Sequence, residues 1–282
     1  AGKTEESSFQ RLDLVWIPPE MREDRGEIEA AQEDSLPDLI EVDQIRGDLH
    51  CHTNETDGYD TLETMVEAAR ERGYEYMAIT EHSQAVSVAQ GLDEKRLDKH
   101  AKKIRKLNNS LDNFWLMTGI EVDIMKNGDL DLDTKALKQL DWVVASVHSY
   151  FDLDKKHMTD RLLKAIDSGV VHCLGHPFGR QIGQRKMIEF DVDRVFQACR
   201  EQGVFLEINA HPSRLDVPDD YCKYAKDLGV DFVLCTDAHR TSDLDFIRFG
   251  VGVARRGWLE KKNILNTNTL RSLRKKLGDK KS

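Results

Sequence analysis

Four glycines set the folding problem for this chain. They stand in Arg72-Gly73-Tyr74, Ser168-Gly169-Val170, Gln202-Gly203-Val204 and Leu228-Gly229-Val230, each behind a helix-like stretch and ahead of an apolar run. A glycine just past a helix supplies the left-handed residue that ends it, so each one marks a helix stop with a strand following at once. The apolar runs predict strands over 45–50, 76–80, 115–120, 142–147, 170–175, 204–208 and 231–236. The stretches between them carry the helical period. In one of them Leu62, Met65, Val66 and Ala69 share a face, with Asp60 and Glu63 placed as cap and N3 partner. Seven strands alternating with helices argue for an α/β chain with a parallel sheet. Closed on itself, this is a distorted (β/α)7 barrel, one unit short of the familiar eight, and 282 residues are enough to build it.

Residues 1–45 do not carry the repeating unit and read as an arm, with the barrel domain expected over 46–282. Pro18 and Pro19 stand where a helix could start, Gly26-Glu27-Ile28-Glu29-Ala30-Ala31 opens a weak one, and Ser35-Leu36-Pro37 ends it. The net charge of −10 is unevenly spread: from Arg240 onward there are twelve Lys/Arg against four Asp/Glu. Such a tail is either a solvated helix or a surface for an anionic polymer. Cys51, Cys173, Cys199, Cys222 and Cys235 are odd in number, scattered and without a C-x-x-C pair, which points to a reducing cytosol rather than a disulfide framework or zinc ribbon. No apolar run approaches the ~20 residues that span a bilayer. Ala1 to Gln10 has no apolar signal-peptide core. The expected location is cytoplasmic, with no membrane partner.

The chemistry-bearing residues fall at the strand ends. The first strand runs into His50-Cys51-His52, then Asp57-Gly58 in the turn; alternation along a strand points both imidazoles the same way. The second runs into Glu81-His82, the third into Glu121, the fourth into His148, the fifth into His176-Pro177 and the seventh into Asp237-Ala238-His239. In an α/β barrel these ends open on one face, where such folds hold their active sites. A single histidine there is more often structural than a ligand. Six histidines and three carboxylates would crowd charges and donors that lack partners, unless metal ions bind among them. An N/O ligand set with no cysteine suits Zn²⁺, Mn²⁺ or Fe²⁺. One ion rarely takes more than six ligands, so His50, His52, Asp57, His82, Glu121, His148, His176, Asp237 and His239 imply two or three divalent ions. Of the other histidines, His100, His157 and His172 read as structural. His211, in Asn209-Ala210-His211-Pro212, stands near the open face.

The ordered set H-x-H, [DE]-H, Glu, S-x-H, H-P and D-x-H over residues 46–240 resembles the PHP (polymerase and histidinol phosphatase) domain. More specifically, the chain is similar to the C-terminal PHP region of bacterial family X DNA polymerases. The stretches that carry this are Trp16-Ile17-Pro18-Pro19-Glu20, Arg22-Glu23-Asp24-Arg25-Gly26-Glu27, Leu206-Glu207-Ile208-Asn209, Arg214-Leu215-Asp216 and Gly250 through Leu259. The resemblance implies a trinuclear site. His50, His52, Glu121 and Asp237 would hold one ion. Glu121 would bridge to a second ion on His148 and His176. Asp57, His82 and His239 would hold the third. Glu81 replaces the usual aspartate of its motif and stands behind the ligands, as does Asp48, which shares a strand face with His50 and could orient it. The paired aspartates of a nucleotidyltransferase are missing. Asp129-Leu130-Asp131-Leu132-Asp133 mimics them but reads as a turn and helix cap, so the chain is a lone PHP protein or a fragment of a polymerase.

Such a ligand set implies phosphoester hydrolysis by activated water, with Glu121 and Asp237 as the catalytic carboxylates. Arg180, Arg185 and Lys186 after the fifth strand and Arg214 after the sixth are candidates to hold substrate phosphate. The resemblance implies DNA as partner: 3′-5′ exonuclease action on single-stranded or frayed ends, with 3′-phosphate or abasic-site processing in repair. A small-molecule phosphatase of the histidinol-phosphate type and a metal-stabilised scaffold without catalysis are the alternatives.

Overall fold

The computed structural model describes residues 3–278; Ala1, Gly2 and residues 279–282, which include Lys280 and Lys281 of the basic tail, lie outside the described residues. Among the described residues there are seven strands: β1 (Gly47–Cys51), β2 (Tyr76–Ile79), β3 (Trp115–Asp123), β4 (Trp142–Ser146), β5 (Cys173–Leu174), β6 (Phe205–Asn209) and β7 (Phe232–Cys235). They pair in chain order, all parallel. The helices are α1 (Glu5–Gln10), α2 (Glu27–Gln32), α3 (Leu62–Glu71), α4 (Glu94–Asn108), α5 (Thr134–Leu137), α6 (Lys155–Ile166), α7 (Val192–Gln202), α8 (Asp219–Asp227), α9 (Ile247–Arg256) and α10 (Leu270–Leu277). The glycine stops behave as expected: Gly73, Gly169, Gly203 and Gly229 have φ of 77°, 69°, 67° and 83°. The cap of α3 differs by one residue. Thr61, rather than Asp60, accepts from the Thr64 N–H, while Asp60 turns to the Thr241 N–H across the barrel seam.

The sheet closes into a (β/α)7 barrel. Among the described residues, the seam between β1 and β7 has one backbone bridge, Cys51–Ala238, which side chains reinforce. Asn266 receives the Leu234 N–H and donates to the Leu234 and Gly47 carbonyls. Asp48 accepts from the Thr236 N–H and hydroxyl. β3 is the longest strand and is shared. Tyr76–Ile79 pairs with Trp115–Thr118 and Gly119–Asp123 pairs with Trp142–Ser146, so the sheet steps upward around the barrel.

The barrel interior is split in two. Its lower half is apolar: Leu49, Tyr76, Trp115, Met117, Trp142, Val144, Val233 and Cys235 pack together, and Leu265 and Leu273 of the tail plug the floor. Its upper half is the polar cluster. The tail helix α10 is tied to that floor, at the N-terminal ends of the strands. Tyr76 donates to the Asn268 carbonyl, Glu75 accepts from Leu270 N–H, and Arg274 lies over Trp115. Arg271, Arg274, Lys275 and Lys276 of the basic tail are thus helical but sit at the opposite end of the barrel from the histidines.

The arm docks on the same C-terminal region. Ile17, Met21, Ala31 and Leu39 form a small cluster completed by Trp258, and Arg255 and Arg256 of α9 pair with Glu20 and Glu23 at 2.9 and 2.6 Å. The aspartate-rich stretch is a turn and cap: Asp133 caps α5, and Asp129 takes Lys164 at 2.8 Å.

Candidate metal centre

All nine residues expected at the strand ends meet at the C-terminal mouth of the barrel. Glu121, inside β3 and 1% exposed, is the hub. His82 Nδ1 and His176 Nε2 lie 2.9 Å from its oxygens, His148 Nε2 3.2 Å, His50 Nε2 3.5 Å and His52 Nε2 3.7 Å. Asp237 stands 3.1 Å from His52 Nε2 and 3.6 Å from His50 Nε2. Asp57 stands 3.4 Å from His82 Nε2 and 3.5 Å from His239 Nε2. Three groups are tight enough to share an ion: His50, His52 and Asp237; His82, Glu121 and His148; and His52, Asp57, His82 and His239. They overlap through His52 and His82, a tighter mesh than three separate ligand sets.

The cluster fits bound cations better than it fits itself. His50 Nε2, His52 Nδ1, His82 Nδ1, both nitrogens of His148, His176 Nδ1 and Glu121 Oε2 are buried without a well-formed hydrogen bond. Such atoms are costly to bury unless something completes them, and divalent ions do so with this donor set. Burial opposes ionisation of Glu121, yet His148, His50 and His82 hold its pKa well below the usual carboxylate range. Burial likewise opposes charge on His82, but Glu121 and Asp57 raise it to about 10; Asp57 and Asp237 bring His239 to about 9. His52 goes the other way: burial, with His239 and His82 beside it, lowers it to about 3.

The backbone is bent to deliver these side chains. The register slips between Asp48 and Cys51. This bulge lets Leu49 face the interior and still turns His50 and His52 inward, because one extra residue reverses the alternation. It also separates Asp48 from the His50 ring. Asp48 accepts from the His50 N–H at 3.2 Å and from the Thr236 N–H and hydroxyl, so it meets His50 through the backbone. His176 and Asp237 have φ of 25° and 55°, left-handed values that non-glycine residues seldom adopt and that cluster at functional sites. Gly175 precedes His176 because a Cβ there would stand 2.3 Å from Ser146 Oγ and 2.6 Å from Val144 Cγ1.

The group that orients His50 is Glu207, which the sequence reading passed over. Its Oε1 takes His50 Nδ1–H at 2.6 Å, and its Oε2 takes the His176 N–H at 2.6 Å. A carboxylate on Nδ1 fixes the tautomer and leaves the Nε2 lone pair facing the cluster. The available signal was an acid in the middle of the apolar strand Leu206-Glu207-Ile208, since a buried carboxylate there needs partners. Asp123, 3.4 Å from His148 Nδ1, was missed in the same way. Glu81 is fully buried behind the site and receives the Thr53 N–H and the hydroxyls of Thr53 and Thr56. It therefore fixes the loop that carries Asp57 and touches no ligand of the cluster by hydrogen bond.

The four expected substrate cations differ. Arg214 Nε lies 3.5 Å from Asp237 Oδ2, at the cluster itself. Arg180 donates to the Arg214 and Leu215 carbonyls and so braces that loop. Arg185 donates to the Gly179 carbonyl and lies 3.6 Å from the Phe151 ring centroid; Lys186 is exposed. His211 is half-buried, shares a hydrogen bond with Ser213 Oγ and meets Phe246 edge-on. His100 is buried in α4, and His157 lies in the first turn of α6. His172 receives the Val143 N–H and stacks on Trp142.

A parallel seven-stranded barrel with a His/Asp/Glu cluster at its mouth defines a class of metal-dependent hydrolase folds. The chain belongs to the PHP domain family, whose profile matches residues 48–211, and is a PHP metal-dependent phosphoesterase. It is 41% identical over 270 residues to the Bacillus subtilis (strain 168) protein named DNA polymerase/3′-5′ exonuclease PolX; the match takes 96% of this chain and 47% of that relative. The chain thus spans about half the length of that relative. It is 30% identical over 211 residues to the Photobacterium profundum protein named "Probable phosphatase PBPRB2022", covering 71% of this chain and 81% of that one. Among solved structures, histidinol phosphate phosphatase of Lactococcus lactis shares the fold, with a TM-score of 0.53 at 17% identity over 76% of this chain and 94% of that one. No helix of the described residues is long and apolar enough to cross a membrane.

Proposed function

We propose that this chain hydrolyses phosphodiester bonds at DNA ends, as a 3′-5′ exonuclease that also takes 3′-phosphates or abasic ends. The observation that carries this is the 41% identity to the Bacillus subtilis polymerase and exonuclease, which runs through arm, barrel and tail. His50, His52, Asp57, His82, Glu121, His148, His176, Asp237 and His239 would hold two or three divalent ions, Mn²⁺ or Zn²⁺. Bound there, such ions polarise a phosphoryl oxygen and acidify water. Glu121 and Asp237 are the carboxylates that gather the histidines, and both stay ionised because the imidazoles around them outweigh burial. Glu207 keeps His50 in one tautomer. Arg214, beside Asp237, would meet a phosphate oxygen, with Arg185 and Lys186 as the further candidates. The polymer context comes from the mouth, because α10 and its basic residues stand at the far end of the barrel.

A second reading is a small-molecule phosphatase, favoured by the phosphatase-named relative that the chain matches over 81% of its length. One experiment separates them. A 5′-labelled single-stranded oligonucleotide, a 3′-phosphorylated one and histidinol phosphate are each incubated with Mn²⁺, with Zn²⁺ and with chelator. The expected result is stepwise shortening from the 3′ end with metal only. Glu121→Gln lowers it by orders of magnitude while DNA binding survives. Good turnover of histidinol phosphate with every DNA end untouched replaces the DNA reading with the phosphatase one. Cleavage by Glu121→Gln at the wild-type rate removes the cluster from the mechanism.

A further inference from the structure

Two exposed tyrosines stand at the rim of the cluster, each with a cation on its ring. Tyr59 follows Asp57 by two residues, is 71% exposed, and donates its backbone N–H to the His239 carbonyl at 2.7 Å. The Arg240 guanidinium, next in sequence to His239, lies 4.2 Å from its ring centroid. Tyr150 follows His148 by two residues, is 51% exposed, and carries the Lys126 ammonium 5.2 Å from its centroid. The first pair stands over the β1–β7 seam, the second over the loops that leave β3 and β4.

Exposed aromatic rings are ordinary; rings held in place are less so. Tyr150 has φ of 51°, a left-handed value that costs a residue with a side chain. Arg161 of α6, 2% exposed, holds both loops of this pair: it donates to the Ile124 and Met125 carbonyls on the Lys126 side and to the Ser149 carbonyl on the Tyr150 side. A buried guanidinium with carbonyl partners from two loops fixes the relative position of Lys126 and Tyr150. The Tyr59 pair is fixed equally well, through the backbone bond to His239 and through Asp60, which accepts from the Thr241 N–H at 2.7 Å. At this exposure, one ring face can meet the cation while the other remains open to solvent.

We propose that Tyr59 with Arg240, and Tyr150 with Lys126, are stacking platforms for two unpaired nucleobases of a single-stranded DNA end whose terminal phosphodiester lies over the cluster. Every base has a π-face, so a ring accepts any of the four, and the neighbouring cation meets the phosphate that follows. This rests on the DNA reading above and adds how the strand is gripped. It also implies a preference for frayed ends, since a paired base presents no free face. The pairs stand on different sectors of the rim, so the strand crosses the mouth rather than ending at its edge.

The test compares a single-stranded oligonucleotide with one of equal length that carries base-free sugars at the four positions next to its 3′ terminal nucleotide. Wild type is expected to show a KM about tenfold lower for the natural strand, the scale of one or two stacked bases. Tyr59→Ala and Tyr150→Ala are each expected to raise KM for the natural strand about five- to tenfold, with kcat little changed, and to shrink the discrimination between the two strands. Tyr59→Phe and Tyr150→Phe should restore both, because the ring and not the hydroxyl carries the contact. Metal content and melting temperature check that each variant is folded and loaded. Alanine variants that are loaded, shorten DNA and keep the wild-type KM and discrimination overturn the platforms and leave the exonuclease reading standing. A wild-type protein that shortens no DNA overturns both.

Discussion

Glu207→Gln tests how the centre is built. The residue is fully buried in β6, and its carboxylate accepts from His50 Nδ1 at 2.6 Å, the His176 N–H at 2.6 Å and the Asn209 amide at 3.3 Å. All three partners are donors. A glutamine offers one acceptor oxygen and one NH₂, so its NH₂ must face at least one of them. Leaving a buried donor unsatisfied costs about 1–3 kcal/mol, and the charge-assisted character of the remaining bonds is also lost. The metal-free protein should therefore lose about 2–3 kcal/mol, a fall in Tm of about 4–12 °C at this chain size. The His50 ring also loses the group that fixes its tautomer. Metal affinity should fall about 10–100-fold, the usual consequence of removing such a partner. A chelator-competition titration gives the affinity and a thermal melt of the stripped protein gives the stability. Wild-type values in both would refute the role assigned to Glu207. A lower Tm with unchanged affinity would refute the orienting role alone.

Elemental analysis of protein purified without chelator should find two or three divalent ions per chain, and the double change His50→Ala with His52→Ala should lose at least one; less than one ion in metal-replete wild type would refute the multinuclear centre. At pH 7 His82 and His239, with pKa values of about 10 and about 9, and His50, which despite burial Glu207, Glu121 and Asp237 raise well above its ordinary value, are protonated in the metal-free cluster. Loading should release about three protons per chain, and metal affinity should climb with pH until those values are passed. Calorimetry in buffers of different ionisation enthalpy measures this, and uptake or no exchange would contradict it. Leu273→Ala removes the apolar plug at the barrel floor, 0% exposed, and should cost about 2–5 kcal/mol in a denaturant titration. Because α10 lies away from the mouth, Arg271→Ala with Lys275→Ala should leave KM for a DNA end within about twofold, and a large rise would place DNA on the floor of the barrel as well.

Much of the architecture was legible because it rests on local physics. The glycine stops require a left-handed residue whatever surrounds them, and an apolar run between helices has few fates other than a strand in a parallel sheet. β5 keeps only Cys173–Leu174 of its apolar run, Val170 to Gly175. The nine candidate ligands were legible for a related reason. The C-terminal ends of parallel strands share one face, so position in the chain already implies proximity.

What the sequence could not decide is parity, partnership and side. The bulge in β1 reverses the alternation between Asp48 and His50, and a bulge is set by pairing with β2 rather than by residues of β1 alone. Glu207 and His50 are 157 positions apart, and nothing local to either announces the other. The arm and Arg255-Arg256 were each conspicuous as sequence, but only tertiary packing brought Glu20 and Glu23 onto them. The basic tail shows the limit best. Its charge was plain in the composition, yet charge carries no direction. The burial of Leu265 and Leu273 under the strands is what sends that helix to the floor of the barrel, away from the centre. Local preference and strand direction therefore determined the elements and the ligand inventory. Long-range apolar burial and buried hydrogen bonding decided which carboxylate holds which ring, and at which end of the barrel the basic helix lies.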